Sequence, residues 1–407
     1  MERFFFHILL VLLAVALPAR AVTWTHPEPL RPDSSNFVTA SLLVASPGEA
    51  IYSRLGHCTL RMECPTQNLD YCFSFETDIT GNDYFRFFAG QSLGHIVAVP
   101  TREYLAPFQQ EGRSVTAYVL NLSHREKQEL WRLLDNDVVD ESQRKFNFLT
   151  NNCTSISFRM IEDCLIEEQI DYHWPDPMNQ INGDGIRYLT RTSPWLQFIS
   201  LLLVGSEADT YWDNRNRVAP ELMIPIEQQS SIVRSDGTKR PVLTGERHEL
   251  VPLTRPLPPA SRATPTAVFG TLLLLVLLIT LIEWKPGWRA PARVADIVLL
   301  TLQTTLGIAL LYMSCVSGLF GTHWNWYLVV FNPLPLLLWL GLRKRPWYHS
   351  VYWVYTLVLV LFIIATPLSA QLDLPHQLVT ATLAVRTAAH ALRPHRRRIE
   401  KSKISHA

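Results

Sequence analysis

Charge is scarce in this chain. Asp, Glu, Lys and Arg supply 18% of its 407 residues, against about a quarter in ordinary globular domains. Neither sign is in excess, the formal net charge being +1, which argues against a nucleic-acid binder, whose phosphate partner demands a basic surface. Several chemical signatures are missing too. There is no H-E-x-x-H, no C-x-x-C pair and no phosphate-cradling glycine loop, so neither a metal nor a nucleotide site is indicated and no cofactor is expected. The shortage of charge has a location. Beyond residue 265, long runs of Leu, Val and Ile are broken only by short basic or Pro-containing stretches. This excludes a wholly soluble enzyme and a disordered tail protein, and leaves a soluble domain followed by a membrane domain.

Residues 1–21 read as a secretory signal, with Arg3 as the positive start, an apolar core over 4–17 and Ala19-Arg20-Ala21 as a small-x-small cleavage site. The chain beyond Ala21 is expected outside the cytoplasm, in a bacterium the periplasm, where cysteines meet an oxidising medium. Five cysteines precede the apolar region: Cys58, Cys64, Cys72, Cys153 and Cys164. An odd number leaves at least one thiol unbridged. Cys64 and Cys72 flank a turn at 65–68, which suits a local disulfide, but four of the five could pair in three ways and the sequence does not choose among them.

A Pro-rich linker, 252–265, leads to apolar segments at about 266–282, 294–316, 326–342, 351–372 and 377–392. These predict an α-helical transmembrane domain of about five spans over 266–393. The last segment contains Arg386 and His390, so it either crosses or lies on the surface as an amphipathic helix. Lys285, Arg289 and Arg293 come after the first segment, Arg343, Lys344 and Arg345 after the third, and Arg393 with Arg396 to Arg398 after the fifth. The loops at 318–325 and 369–376 carry no Lys or Arg. The positive-inside rule puts the basic loops and the tail 394–407 in the cytoplasm, and the soluble domain outside. His323 lies in an outward loop among aromatics, either as part of an interfacial belt or at the mouth of a substrate site. Asn332-Pro333-Leu334-Pro335 should break a helix, which is tolerated only where protein or water re-satisfies the backbone.

The soluble part, 22–251, reads as α+β. Strand-like stretches occupy 37–45, 58–63, 71–75, 95–100 and 114–120. Ser123 with Glu126 has the spacing of a capping box before a helix. Ile156, Met160, Ile161, Cys164 and Leu165 recur with helical period, so a second helix starts at Asn152 or Cys153. A thiol in a helix's first turn sits beside unsatisfied N–H groups, which favour thiolate. Cys153 is therefore either a nucleophile or a half-cystine. A nucleophile needs a base. His57 precedes Cys58 at a strand start, and alternation puts His57, Thr59 and Arg61 on the face opposite the apolar Cys58, Leu60 and Met62. His57 is thus a candidate base, with Asp70, Ser74 and Glu76 as candidates to orient it. Gly90-Gln-Ser-Leu-Gly94 matches the G-x-S-x-G elbow, but a strand rather than a helix comes next, so Ser92 is not taken as a nucleophile.

Residues 42–57 ending in Gly56-His57, the stretches 85–90 and 120–123, Gly112-Arg113 and Asn151-Asn152-Cys153-Thr154 occur in an order that resembles the Lnb-type bacterial lipoprotein N-acyltransferases. The resemblance covers about 37–225, and 322–334 is similar to the membrane half of that family. The order of His before Cys also resembles circularly permuted papain-like enzymes. The resemblance implies that Cys153 takes an acyl chain from a membrane phospholipid as a thioester. His57 then serves as base and acid while the chain passes to the α-amine of a lipoprotein's diacylglyceryl-cysteine at the bacterial inner membrane. Asn152, Arg61, Arg113 and His323 are the further residues expected to support the site. The chain departs from the family pattern at Tyr71-Cys-Phe-Ser-Phe-Glu76 and in having Cys58, Cys64 and Cys72. Two other readings compete: a membrane-tethered periplasmic cysteine hydrolase, and a non-catalytic binding module. A hydrolase needs only one anchor, so the multispan domain favours transfer.

Overall fold

The computed structural model describes residues 38–50, 53–77, 84–173, 181–211, 217–257, 262–283, 285, 288–319, 321–337 and 347–392. The expected signal segment, the basic groups at 343–345 and the basic tail lie outside them. The chain divides into two compact units, Met1–Asp176 with Asp213–Leu257, and Pro177–Trp212 with Pro258–Ala407.

In the first unit the strands are β1 (Thr39–Ala45), β2 (His57–Cys64) and β3 (Leu69–Thr77), then, after a short α1 (Tyr84–Phe88), β4 (Leu93–Pro100). Next come α2 (Thr101–Glu111), β5 (Val115–Leu120), α3 (His124–Val139), the two-residue β6 (Arg144–Lys145), α4 (Cys153–Asp163) and β7 (Glu168–Asp171). The chain then leaves for α5 (Asn182–Thr190) and α6 (Pro194–Leu203) in the second unit. It returns with α7 (Pro220–Glu227), β8 (Ser231–Arg234), β9 (Lys239–Pro241) and β10 (Leu243–Val251). A seven-stranded sheet has the order β10-β5-β1-β2-β3-β4-β6, and β7-β8-β9 form a second sheet. All of these pairings are antiparallel.

Period-two alternation splits each central strand between two cores. Leu42, Cys58, Leu60, Met62, Phe73, Phe75 and Ile96 face Leu130, Leu134, Ile156 and Ile161 of α3 and α4. On the other side, Leu43, Cys72, Val97 and Ala117 face Tyr104 and Phe108 of α2. Helix α3 starts where Ser123 and Glu126 satisfy each other's backbone N–H, the reciprocal box its spacing predicts.

The two-core sheet also corrects the disulfide expectation. All six cysteines are free thiols. Cys64 belongs to the core under α3 and α4 and Cys72 to the core under α2, so they lie on opposite faces of adjacent strands and no S–S bond of about 2 Å can join them. Cys58 and Cys164 are likewise unbridged and buried.

The second unit is helical. Helices α8 (Pro265–Ile282) and α9 (Arg289–Cys315) are long and apolar enough to cross a membrane. The third expected span is instead broken into a 3₁₀ turn, Trp326–Val329, and the four-residue α10 (Leu334–Leu337). Protein re-satisfies the broken backbone, as a membrane interior requires: Gln303 Nε2 (2.7 Å) and Tyr355 Oη (3.0 Å) both donate to the Val330 carbonyl. Gly307 lets this segment approach α9, because a Cβ there would meet the Asn332 backbone at 2.7 Å. Helices α11 (Tyr348–Ile364) and α12 (Leu374–Leu392) complete the unit. The last segment packs into the unit as a helix, its polar residues turned inward. Arg386 of α12 is buried, with Nε 2.7 Å from Asp296 Oδ1 and Nη2 3.1 Å from Glu283 Oε2. His390 joins Asp296 at 3.0 Å.

Candidate active site

Cys153 is the first residue of α4, and the preceding segment is built to start a helix there. Asn152 is the cap, its Oδ1 accepting the N–H groups of Thr154 (2.8 Å) and Ser155 (3.0 Å). Its Nδ2 holds the Phe148 carbonyl at 2.8 Å, and Ser155 Oγ accepts the Asn152 N–H at 2.8 Å. Asn152 is buried and fully engaged in holding the turn, so it positions the thiol. The cap uses the second and third N–H groups of the helix and not that of Cys153.

His57 is the first residue of β2, placed by a turn in which Gly56 has φ +81°. A side chain at 56 would strain that turn and meet the Ala45 carbonyl at 2.8 Å. His57, Thr59 and Arg61 take the face opposite Cys58, Leu60 and Met62, as alternation predicts, and α2 covers that side too. The Tyr104 ring centroid is 6.4 Å from the His57 ring, and Thr59 is sealed in.

His57 and Cys153 are brought close enough for each to shift the proton affinity of the other. Burial alone would lower the His57 pKa, yet the Cys153 charge, the hydrogen bond to it and the Glu76 carboxylate outweigh burial and the Arg113 charge, raising it to about 9. Burial alone would raise the Cys153 pKa. The His57 charge and hydrogen bond, the Cys58 backbone N–H and the Thr154 hydroxyl reverse that and lower it. Each shift favours the charged form of its group, thiolate for Cys153 and imidazolium for His57. The other thiols go the opposite way: burial pushes Cys72 up to about 12 and raises Cys58 and Cys164 as well.

Behind His57 stands a relay. Ser74 Oγ lies 2.9 Å from His57 Nε2 and donates to Glu76 Oε1 at 2.6 Å. Its one proton is committed to Glu76, so Ser74 accepts from His57 Nε2–H, which leaves Nδ1 for Cys153. Of the three candidates for the orienting group, Ser74 touches the ring and Glu76 acts mainly through Ser74, its own Oε1 standing 3.9 Å from Nε2. Asp70 does neither. It holds Arg61 at 2.7 and 2.8 Å and accepts from Thr101 at 2.5 Å. The expectation for Arg61 is corrected accordingly: its guanidinium is committed to Asp70 and Glu63. Arg113 is closer to the chemistry. It is 6% exposed, donates to the Ser46 carbonyl at 2.7 Å, stacks over Phe108 and opposes protonation of His57. His323 lies in the helical unit, where Nδ1 contacts the Ser314 carbonyl at 2.9 Å. Ser92 is buried and leads into β4, so no nucleophile elbow exists.

Tyr104 and the Cys58 N–H are the groups beside the pair that the sequence did not mark. Tyr104 comes from a helix well removed in sequence, and a backbone donor leaves no trace in residue type. Among the described residues no group of three His, Cys, Asp or Glu side chains could hold a metal.

Comparison with known families matches residues 29–191 to the Lnb N-terminal periplasmic domain and 259–398 to the Lnb transmembrane domain. The chain belongs to the Lnb family. It is thus an integral membrane protein with a periplasmic domain, and the paired side chains described above lie in that periplasmic Lnb domain. No curated protein and no solved structure matches the chain.

Proposed function

We propose that this Lnb protein is an acyltransferase in which Cys153 is the nucleophile and His57 the acid and base, moving an acyl chain from a phospholipid to the N-terminal amine of a diacylated lipoprotein at the inner membrane. The observation that carries this reading is the Cys153 thiol brought together with the His57 imidazole at the start of α4, in a periplasmic domain joined to membrane helices.

The Cys153 thiolate attacks the carbonyl carbon of a phospholipid ester. The oxyanion that forms is met by the Cys153 N–H, which the Asn152 cap does not use. As the C–O bond breaks, the His57 imidazolium gives its proton to the departing glyceryl oxygen, leaving a thioester, a lysophospholipid and neutral His57. The lipoprotein amine then attacks the thioester, His57 takes a proton from the nitrogen, and the thiolate leaves as the amide forms. Ser74 and Glu76 keep the ring in its working tautomer and stabilise its charged form. Two steps through a thioester suit this exchange, because a thioester is far more reactive toward an amine than the starting ester.

Intact-mass analysis of protein from membranes tests the reading. An acyl mass on Cys153, removed by hydroxylamine and passed to a diacylated lipopeptide, is the expected result. An acyl mass that appears and is released only to water would make the protein a hydrolase. Triacylated lipoproteins persisting in cells that carry only Cys153→Ala would sink the proposal.

A further inference from the structure

Helix α6 lies in the excursion of the chain that joins the helical unit. It falls between the two family matches, which end at 191 and resume at 259. Its ten residues, PWLQFISLLL, contain no charge. One side is packed: Phe198 and Leu202 enter the core of the helical unit. The other is not: Trp195 (39% exposed) and Ile199 (42% exposed) stand four residues apart, on one face.

The partners of α6 say where it lies. Trp195 Nε1 donates to the Ala263 carbonyl at 2.7 Å, and its ring packs edge-on against Phe269 at 5.9 Å, both at the start of α8. Gln197 reaches Asp373 at 3.0 Å, and His376 Nε2 contacts the Phe198 carbonyl at 3.1 Å, both at the start of α12. Asn325, just beyond α9, donates to the Leu202 carbonyl at 2.7 Å. All are at one end of the bundle, the end where α8 receives the chain from the periplasmic domain. That end is the periplasmic one. Trp195 thus packs on the first turns of α8, a helix whose own Val268, Leu274 and Leu278 are exposed. Beside α6, just after α5, the Arg191 guanidinium lies over the exposed Tyr188 ring at 4.2 Å, a pairing of aromatic and cation suited to the headgroup zone.

We infer that α6 is an interfacial helix whose Trp195–Ile199 face is immersed among the lipids of the periplasmic leaflet. A satisfied indole N–H with an apolar ring, on an uncharged exposed face packed beside the start of a membrane helix, is what that boundary accommodates. This placement depends on the membrane domain and not on the thiol chemistry. It means that the chain touches phospholipid through a segment inserted between two parts of its periplasmic domain.

The test replaces Ile199 by photoreactive benzoylphenylalanine in the full-length protein, irradiates native membranes and reads cross-linked peptides by mass spectrometry. The same replacement at Leu274 of α8 marks the lipid-facing limit, and at Asp236, in the exposed turn between β8 and β9, the aqueous limit. The expected phospholipid adduct at 199 is about tenfold above that at 236 and within a few-fold of that at 274, as for a helix seated in the headgroup boundary. An adduct no greater than that at 236, or cross-links at 199 to protein alone, would overturn the inference.

Discussion

Around α4, apolar side chains such as Leu60, Phe73, Leu130 and Ile156 are sealed from solvent, and the ionisable pair proposed for the chemistry stands at the ends of elements, His57 opening β2 and Cys153 opening α4. The helical unit differs at its surface. Leu281 is 71% exposed while Arg386, Asp296, Glu283 and Gln303 are buried. Large apolar side chains that the first unit seals away thus also cover the outside of the second. The surrounding medium accounts for it. In water, apolar surface is driven inward at roughly 25 cal/mol per Å². In a bilayer the outward face must itself be apolar, so polar groups turn inward and find one another. Buried charge clamps elements together in both regions, Glu126 with Arg240 in the first and Asp296 with Arg386 in the second, and in the first a thiol is set beside an imidazole as well.

The largest expected effect lies in the first region. Cys153→Ala should lower lipoprotein N-acylation by roughly 10⁴-fold or more, and His57→Ala by about 10² to 10⁴-fold, measured by mass spectrometry of lipoprotein N-termini. Ser92→Ala, at the unused G-x-S-x-G match, should leave N-acylation unchanged. If Ser92→Ala and not Cys153→Ala abolished it, the assignment of the chemistry to the thiol would fail.

Next in size is the clamp. Arg386→Leu leaves the Asp296 and Glu283 carboxylates buried without their guanidinium, which should cost about 3–5 kcal/mol of stability. Thermal unfolding in lipid nanodiscs would show it, and neutralising Asp296 and Glu283 as well should restore much of the loss. An unchanged melting temperature for Arg386→Leu would mean that the network is solvated and the contrast between the two regions is false.

A subtler effect concerns proton affinity. His57 titrates near 9 instead of 6.5, so the imidazolium survives up to about pH 9. Transfer, which needs that proton at the leaving oxygen, should fall as pH rises through that value. Glu76→Gln removes a charge that raises the His57 pKa, so the fall should move to lower pH while alkylation of Cys153 by iodoacetamide at neutral pH persists. An unshifted basic limb in this variant would exclude the relay through Ser74. The smallest effect sharpens the contrast of media: Arg61→Leu breaks an ion pair of similar form, but Asp70 there is 40% exposed, so the loss should be about 1 kcal/mol, visible as a shift in the urea midpoint.

Much of this was legible from residue order. The strands and the two capped helices came from alternation and from Ser123, Glu126 and Asn152, whose signals are local. His57 and Cys153 were visible because each sits at an element boundary marked by its neighbours. The choice among Asp70, Ser74 and Glu76 was not, because all three lie at alternate positions of one strand and share a face. Only pairing with β2 decides which meets Arg61 and which meets His57. The disulfide expectation failed for a related reason: closeness across a turn says nothing about which face of a sheet each thiol takes.

The sequence by itself determined the division into an exported sheet-bearing domain and an apolar helical one, since hydrophobic period and run length are properties of the chain alone. Tertiary structure decided which charges became partners. Arg386, read as an interruption in an apolar segment, found its carboxylates on helices about a hundred residues away. Likewise α6, ten residues without charge from the middle of the periplasmic sequence, was allotted to the membrane unit. Contacts between segments far apart in sequence depend on how the chain packs in three dimensions, and local pattern carries no information about them.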